Sequence, residues 1–156
     1  MFVALALLAA AAPQNPLIDY AGFQTLTTQV RERRQARLIP LSKFQAMAQG
    51  GKALILDARS SGAFAAGHIA GAVNLPFTDF TADSLAQVIG KADRPILIYC
   101  NNNFINDVAP IRLKARPLAL NIQTFINLVG YGYKNVWELG EKVDMNDPKV
   151  AWVRGG

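Results

Sequence analysis

Two short stretches limit what this chain can become. Lys52-Ala-Leu-Ile-Leu56 and Pro95-Ile-Leu-Ile-Tyr99 are runs of apolar residues without the alternation of a half-exposed strand. A strand apolar on both faces must be covered on both, which is the situation of a parallel sheet between two layers of helices. The intervening segments supply those helices. Leu41 to Met47 places Phe44 and Met47 on one helical face, with Ser42 as N-cap and Gly50-Gly51 as the stop. Arg59 to Gly67 reads as a short helix capped by Ser60 or Ser61, and Ser84 to Ile89 as another capped by Thr81 or Asp83. Pro117 to Val129 is a fourth, ended by Gly130-Tyr-Gly132. Val73-Asn-Leu-Pro76 is a brief additional run, and Asn135-Val-Trp137 reads as the last strand. This alternation predicts an α/β fold, a central parallel β-sheet flanked by helices on both faces and joined by right-handed crossovers.

With 156 residues, 51% apolar and 17% charged, the chain fits one compact domain. The net charge of +5 collects in Arg31-Glu-Arg-Arg-Gln-Ala-Arg37 and Arg112-Leu-Lys-Ala-Arg116. Neither run is interleaved with aromatics, so both read as solvated faces, and a nucleic-acid partner is not expected. The opening MFVALALLAAAAP is too short for a membrane-spanning helix of about 20 residues but suits a signal-peptide core. Residues 1–12 therefore read as a signal peptide, with cleavage after Ala11 or earlier because Pro13 would block the bond before it. The expectation is export to a bacterial periplasm, with no membrane span left after processing. Residues 13–37 read as a partly helical N-terminal extension, and residues 140–156 as a C-terminal tail.

Cys100 is the one cysteine, set where the strongest strand stops and Asn101-Asn102-Asn103 begins. A single cysteine forms no intrachain disulfide, so in an oxidising compartment it is a free thiol or an intermolecular partner. Sites in open parallel sheets lie outside the carboxyl ends of the strands, and Asp57 and Cys100 both fall there. A nucleophilic thiolate needs donors or positive charge to lower its pKa from about 8.5. The asparagine loop offers backbone amides for such a nest, and its side-chain amides add donors. The competing reading is that Cys100 is a small buried apolar residue.

Four blocks in order, Leu56-Asp57-Ala-Arg59, Phe64-Ala-Ala-Gly67-His68-Ile69-Ala-Gly71-Ala72-Val-Asn74-Leu75-Pro76, Ile98-Tyr99-Cys100 and Gly132-Tyr133-Lys-Asn-Val136, make residues 38–139 resemble a rhodanese-like domain. The resemblance implies a sulfurtransferase scaffold. Cys100 stands where the family's active cysteine accepts sulfur as a persulfide from a thiosulfate-like anion and passes it to a thiol or other thiophilic acceptor. Asn101, Asn102, Asn103 and Phe104 then belong to the substrate-binding loop.

The departures matter as much. Rhodanese loops usually close on an arginine, whereas Ile105 and Asn106 stand there, and residues 104–117 look like an insertion beside the site. The missing charge is expected from one of Arg112, Lys114 and Arg116, Arg112 or Arg116 first, folding back toward an anionic donor. The same loop is a candidate contact for a protein acceptor, or a solvent-facing loop with no role. Asp57 either holds Arg59 or orients the loop, or else serves as a helix cap or ion-pair partner. His68 reads as structural. One histidine and one cysteine supply too few ligands for a transition-metal site, and no nucleotide, flavin or haem motif is present, so no cofactor is expected. A catalytically silent binding module is the alternative function. A cysteine phosphatase on the related fold would need an arginine at Asn106.

Overall fold

The computed structural model describes residues 15–155; residues 1–12, read as the signal peptide, lie outside the described residues. Five parallel strands form the sheet in the order β1-β6-β5-β2-β4: β1 (Leu38–Ile39), β6 (Val136–Leu139), β5 (Ile96–Tyr99), β2 (Leu54–Asp57) and β4 (Ala72–Asn74). The two fully apolar runs are the adjacent strands β2 and β5 at the middle of this sheet, every residue of both being buried.

Strand periodicity then sorts their side chains between two cores. Leu54 and Leu56 of β2 with Ile96 and Ile98 of β5 face the layer of α1 (Tyr20–Gln35), α4 (Ala82–Ile89) and α5 (Leu120–Gly130), which adds Val30, Leu85, Ile89 and Phe125. Ile55, Leu97 and Tyr99 face the other layer, where Phe44 of α2 (Leu41–Gln49) meets Phe104, Ile111, Met145 and Val150. The sequence expectation of a parallel sheet with helices on both faces is therefore what the chain forms. Thr81 caps α4 and Ser60 caps α3 (Ser61–Ala66), as their positions predict.

Several local expectations need correction. Ser42 is not an N-cap: α2 begins at Leu41 after Pro40, and the free Leu41 N–H donates to Glu141 Oε2 at 2.8 Å. The Arg31 to Arg37 run is not simply solvated, since Arg34 pairs with Glu138 at 2.6 Å and Arg37 lies 4.0 Å over the Trp137 ring. Residues 13–37 contain a 16-residue helix whose Val30 is buried in the first core. Asn135 to Trp137 is not the last strand either. The C-terminal segment returns as β7 (Trp152–Val153), antiparallel to β3 (His68–Ile69).

That return explains Gly67. A Cβ there would stand 2.7 Å from Trp152 Nε1, and Trp152 is held edge-on against the Phe104 ring, with centroids 5.1 Å apart. Gly67→Ala should destabilise the fold by about 1–3 kcal/mol, the usual cost of overpacking. Urea denaturation followed by tryptophan fluorescence checks this, and an unchanged midpoint would show that the indole moves freely.

Candidate active site

Cys100 follows β5 in extended backbone, φ −145° and ψ −179°, and opens a 3-10 turn over Asn101–Asn103. The chain then makes its excursion and returns through a second 3-10 turn, Arg116–Leu118, into α5. No side chain caps that helix, Ala119 being the N-cap. The uncapped amides of Leu120 and Asn121 act on the Cys100 sulfur instead, lowering its pKa together with the Asn102 amide, and the Asn103 N–H donates to it. A helix N-terminus carries partial positive charge, so four converging N–H groups form an anion-binding cradle around one sulfur. The insertion therefore loops out without removing the helix end from the cysteine.

The electrostatics correct the expectation of an acidified thiol. Cys100 is 2% exposed, and burial pushes its pKa up; the amides of Asn121, Asn102 and Leu120 pull it back, and the nearby Glu138 carboxylate pushes it up again. The result lies above the ordinary thiol value. Glu138 is itself buried, which raises its carboxyl pKa against the opposing effects of Arg34 and Asn121.

Cys100 opens on a cavity of about 540 Å³ whose walls include Asn101, Asn102, Lys114, Ser60 and Thr78. Asn101 and Asn102 are at the site, but their side-chain amides are not free donors. Asn101 Nδ2 donates to the Arg112 carbonyl at 2.9 Å, and Asn102 Nδ2 to the Lys114 carbonyl at 2.8 Å, while Lys114 N–H returns a bond to Asn102 Oδ1 at 3.0 Å. These bonds fasten the excursion to the cysteine loop. Neither expected arginine folds into the cavity: the Arg112 side chain reaches the Asp107 carbonyl at 3.5 Å, Arg116 is exposed, and neither lines the wall. Two cations stand on the wall: Arg59, held by Asp57, and Lys114, the residue between the two arginines, whose backbone Asn102 pins.

The rhodanese-like domain family matches residues 41–140. The chain belongs to that family. Among solved structures it is similar to a thiosulfate sulfurtransferase from Pseudomonas aeruginosa, with a TM-score of 0.56 and 17% identity over 86% of this chain and 23% of that one. The chain thus spans about a quarter of that enzyme's length. It is also similar to a protein from Bacillus halodurans (TM-score 0.48, 14% identity, 76% of this chain and 77% of that one). A rhodanese-like domain from Anabaena sp. gives a TM-score of 0.46 at 21% identity over 66% of this chain and 67% of that one. Comparison with curated protein sequences finds no match.

In this rhodanese-like domain Asp57 is the ion-pair partner of Arg59, which both of its sequence readings allow. Its carboxylate holds Arg59 at 2.6 Å and accepts from the Tyr99 hydroxyl, while Arg59 also donates to the Gly67 carbonyl at 2.8 Å and reaches Asn101 Oδ1 at 3.4 Å. His68 stays away from the cavity; its ring stacks on Phe64 with centroids 3.8 Å apart, and its Nδ1 lies 2.9 Å from the Phe64 carbonyl. Phe104 does not line the cavity. It is fully buried between Tyr99 and Trp152, because its backbone bridges Val143. Asn103 is likewise turned inward, accepting from Cys100 N–H at 2.9 Å and donating to the Leu139 carbonyl at 2.6 Å.

Sequence reasoning missed Glu138, Asn121 and Arg34, which line a smaller cavity of about 180 Å³ on which Cys100 also borders. Asn121 Nδ2 links Asn103 Oδ1 at 2.9 Å to Glu138 Oε1 at 3.3 Å. An acidic residue inside the otherwise apolar strand Val136–Leu139 was the available signal. Among the described residues no cluster of His, Cys, Asp and Glu could hold a metal ion, and no helix is long and apolar enough to cross a membrane.

The alkylation rate of Cys100 should climb with pH to a midpoint above the ordinary thiol value of about 8.5. Glu138→Gln should lower that midpoint, because the carboxylate's negative charge opposes the thiolate. Iodoacetamide kinetics from pH 6 to 10 measure both, and a variant midpoint equal to or above that of the wild type would contradict the assigned sign.

Proposed function

We propose that the protein is a sulfurtransferase that carries sulfane sulfur on Cys100. The observation that supports this reading most is the cradle of four amides, two from an uncapped helix N-terminus, around a sulfur that borders an open cavity. A persulfide anion needs the same donors as a thiolate, and it gains them without proton transfer. In the first half-reaction the Cys100 thiolate attacks the outer sulfur of thiosulfate. The new bond joins Cys100 Sγ to that sulfur, and the old sulfur–sulfur bond breaks with its electron pair leaving on sulfite. In the second, an acceptor thiolate or cyanide attacks the outer sulfur, and the electron pair of the broken bond returns to Sγ. Arg59 and Lys114 supply the cationic wall for the anionic donor in place of the absent loop arginine.

The elevated thiol, whose ionisation burial and Glu138 oppose, favours a second reading, a catalytically silent domain with the same fold. Intact-mass measurement after incubation with thiosulfate separates the two: a reductant-labile gain of one sulfur atom, lost in Cys100→Ser, is the expected result. Wild-type activity in Cys100→Ser would refute the assignment. Because Lys114 is exposed, Lys114→Gln should raise KM for thiosulfate by no more than about fivefold, the effect of up to about 1 kcal/mol, and should leave reaction with an uncharged organic persulfide unchanged.

The proposed location is the periplasm, resting on the apolar run of residues 1–12. Protein recovered from the host envelope should begin no earlier than Ala10; N-terminal mass mapping that finds an intact Met1 would remove this part of the proposal.

A further inference from the structure

Eleven large apolar side chains are exposed among the described residues, and four of them, Ile105 (55%), Val108 (50%), Leu113 (39%) and Leu118 (61%), fall within residues 105–118. The same segment exposes Arg112, Lys114 and Arg116. Its single acid, Asp107, accepts from the Leu113 N–H at 3.1 Å. None of the three cations is in an ion pair; among the described residues those pairs are Arg34 with Glu138 and Arg59 with Asp57.

These side chains ride on a fixed backbone. Ile111, in the middle of the segment, is fully buried in the second core. Ile105 N–H donates to the Val143 carbonyl at 2.9 Å, and Asn106 Nδ2 to Asp144 Oδ1 at 3.0 Å. Farther along, Asn101 and Asn102 hold the carbonyls of Arg112 and Lys114. A solvated loop of no consequence would not need anchoring at both ends and in the middle while presenting four apolar groups to water.

We propose that the 105–118 face docks an acidic acceptor protein that presents a cysteine flanked by carboxylates and apolar side chains. The proposal rests on the sulfur-carrier reading and names the acceptor's class. Two features select a protein over a small thiol. A small molecule could use the cavity alone, leaving the four apolar groups unexplained. Moreover, Lys114 belongs both to this face and to the wall of the Cys100 cavity, so a partner seated on the face has its cysteine at the cavity's edge. The three cations select for acid. Transfer is balanced: the acceptor thiol loses its proton to water, and its thiolate attacks the outer sulfur of the Cys100 persulfide. That sulfur becomes bonded to the acceptor, and Sγ keeps the electron pair of the broken bond.

The test separates docking from chemistry. The first probe is a fluorescein-labelled peptide, Glu-Glu-Leu-Ser-Leu-Glu-Glu, with serine in place of the reactive cysteine, and the second replaces every glutamate by lysine. Anisotropy titrations at low salt should show the acidic peptide binding at least tenfold more tightly. The double variant Arg112→Glu/Arg116→Glu, whose side chains lie outside the cavity, should lose that preference, and Leu113→Asp/Leu118→Asp should weaken binding of the acidic peptide. Equal binding of the two peptides, or an unaltered preference in the arginine variant, would overturn the proposal. So would binding to phosphatidylglycerol vesicles that exceeds peptide binding and disappears in the arginine variant, because the face would then belong to a membrane. The cysteine form of the acidic peptide should take sulfur from persulfide-loaded protein at least tenfold faster than the lysine form. Failure to load with thiosulfate counts against the sulfurtransferase reading and leaves the serine-peptide result to judge docking on its own.

Discussion

The ion pair between Asp57 and Arg59 holds the functional end of the sheet together. Both side chains are buried, at 0% and 3% exposure, so neither has water to replace a lost partner. Such a pair costs several kcal/mol per ion in desolvation and is tolerated only when further hydrogen bonds complete it. Here they come from four places: the Tyr99 hydroxyl at the end of β5, the Arg59 backbone amide, the Gly67 carbonyl before β3, and the Asn101 side chain in the cysteine loop. Asn74 adds donors to the Asp57 and Arg59 carbonyls from β4. The ends of three strands and the start of the reactive loop are thus tied to one pair of charges.

Cys100 inherits its position from that arrangement, but its electrostatics come from elsewhere. The helix end that cradles the sulfur is delivered across the insertion, while the carboxylate that opposes its ionisation comes from β6 and is balanced by an arginine of α1. Burial and Glu138 outweigh the amides, so the site disfavours the Cys100 thiolate. Donors shared by thiolate and persulfide stabilise both, whereas burial against Glu138 penalises any negative charge on the cysteine. The segment beyond the cysteine has two attachments with different consequences. Its asparagine tethers set Lys114 on the cavity wall, and its buried Ile111 leaves the flanking apolar and basic groups on the outside.

The central strands were legible because each is a continuous apolar run, and a residue buried on both faces leaves little choice of environment. Thr81 and Ser60 were legible because capping is a local bond between a side chain and an amide three residues on. The roles of Phe104 and Asn103 were not. Both sit in a loop whose sequence looks like substrate-binding material, yet the returning C-terminal segment, through Val143, turns them into interior residues. Arg112 and Lys114 illustrate the same limit, since only the pairing of Asn102 with Lys114 decides which cation of this segment reaches the cavity.

What the sequence determined by itself is what depends on neighbours in the chain: apolar runs, helix caps, the family blocks, and the placement of Asp57 and Cys100 at strand ends. Pairings between distant segments were left to the tertiary structure. Arg34 and Glu138 lie 104 positions apart, and Asn103 and Leu139 lie 36 apart. No periodicity links such residues, because their contact follows from how sheet, helices and the returning C-terminal segment close around one another. The pKa of Cys100 belongs to that second class: burial and the charge of Glu138 set it, and both exist only after the chain has folded.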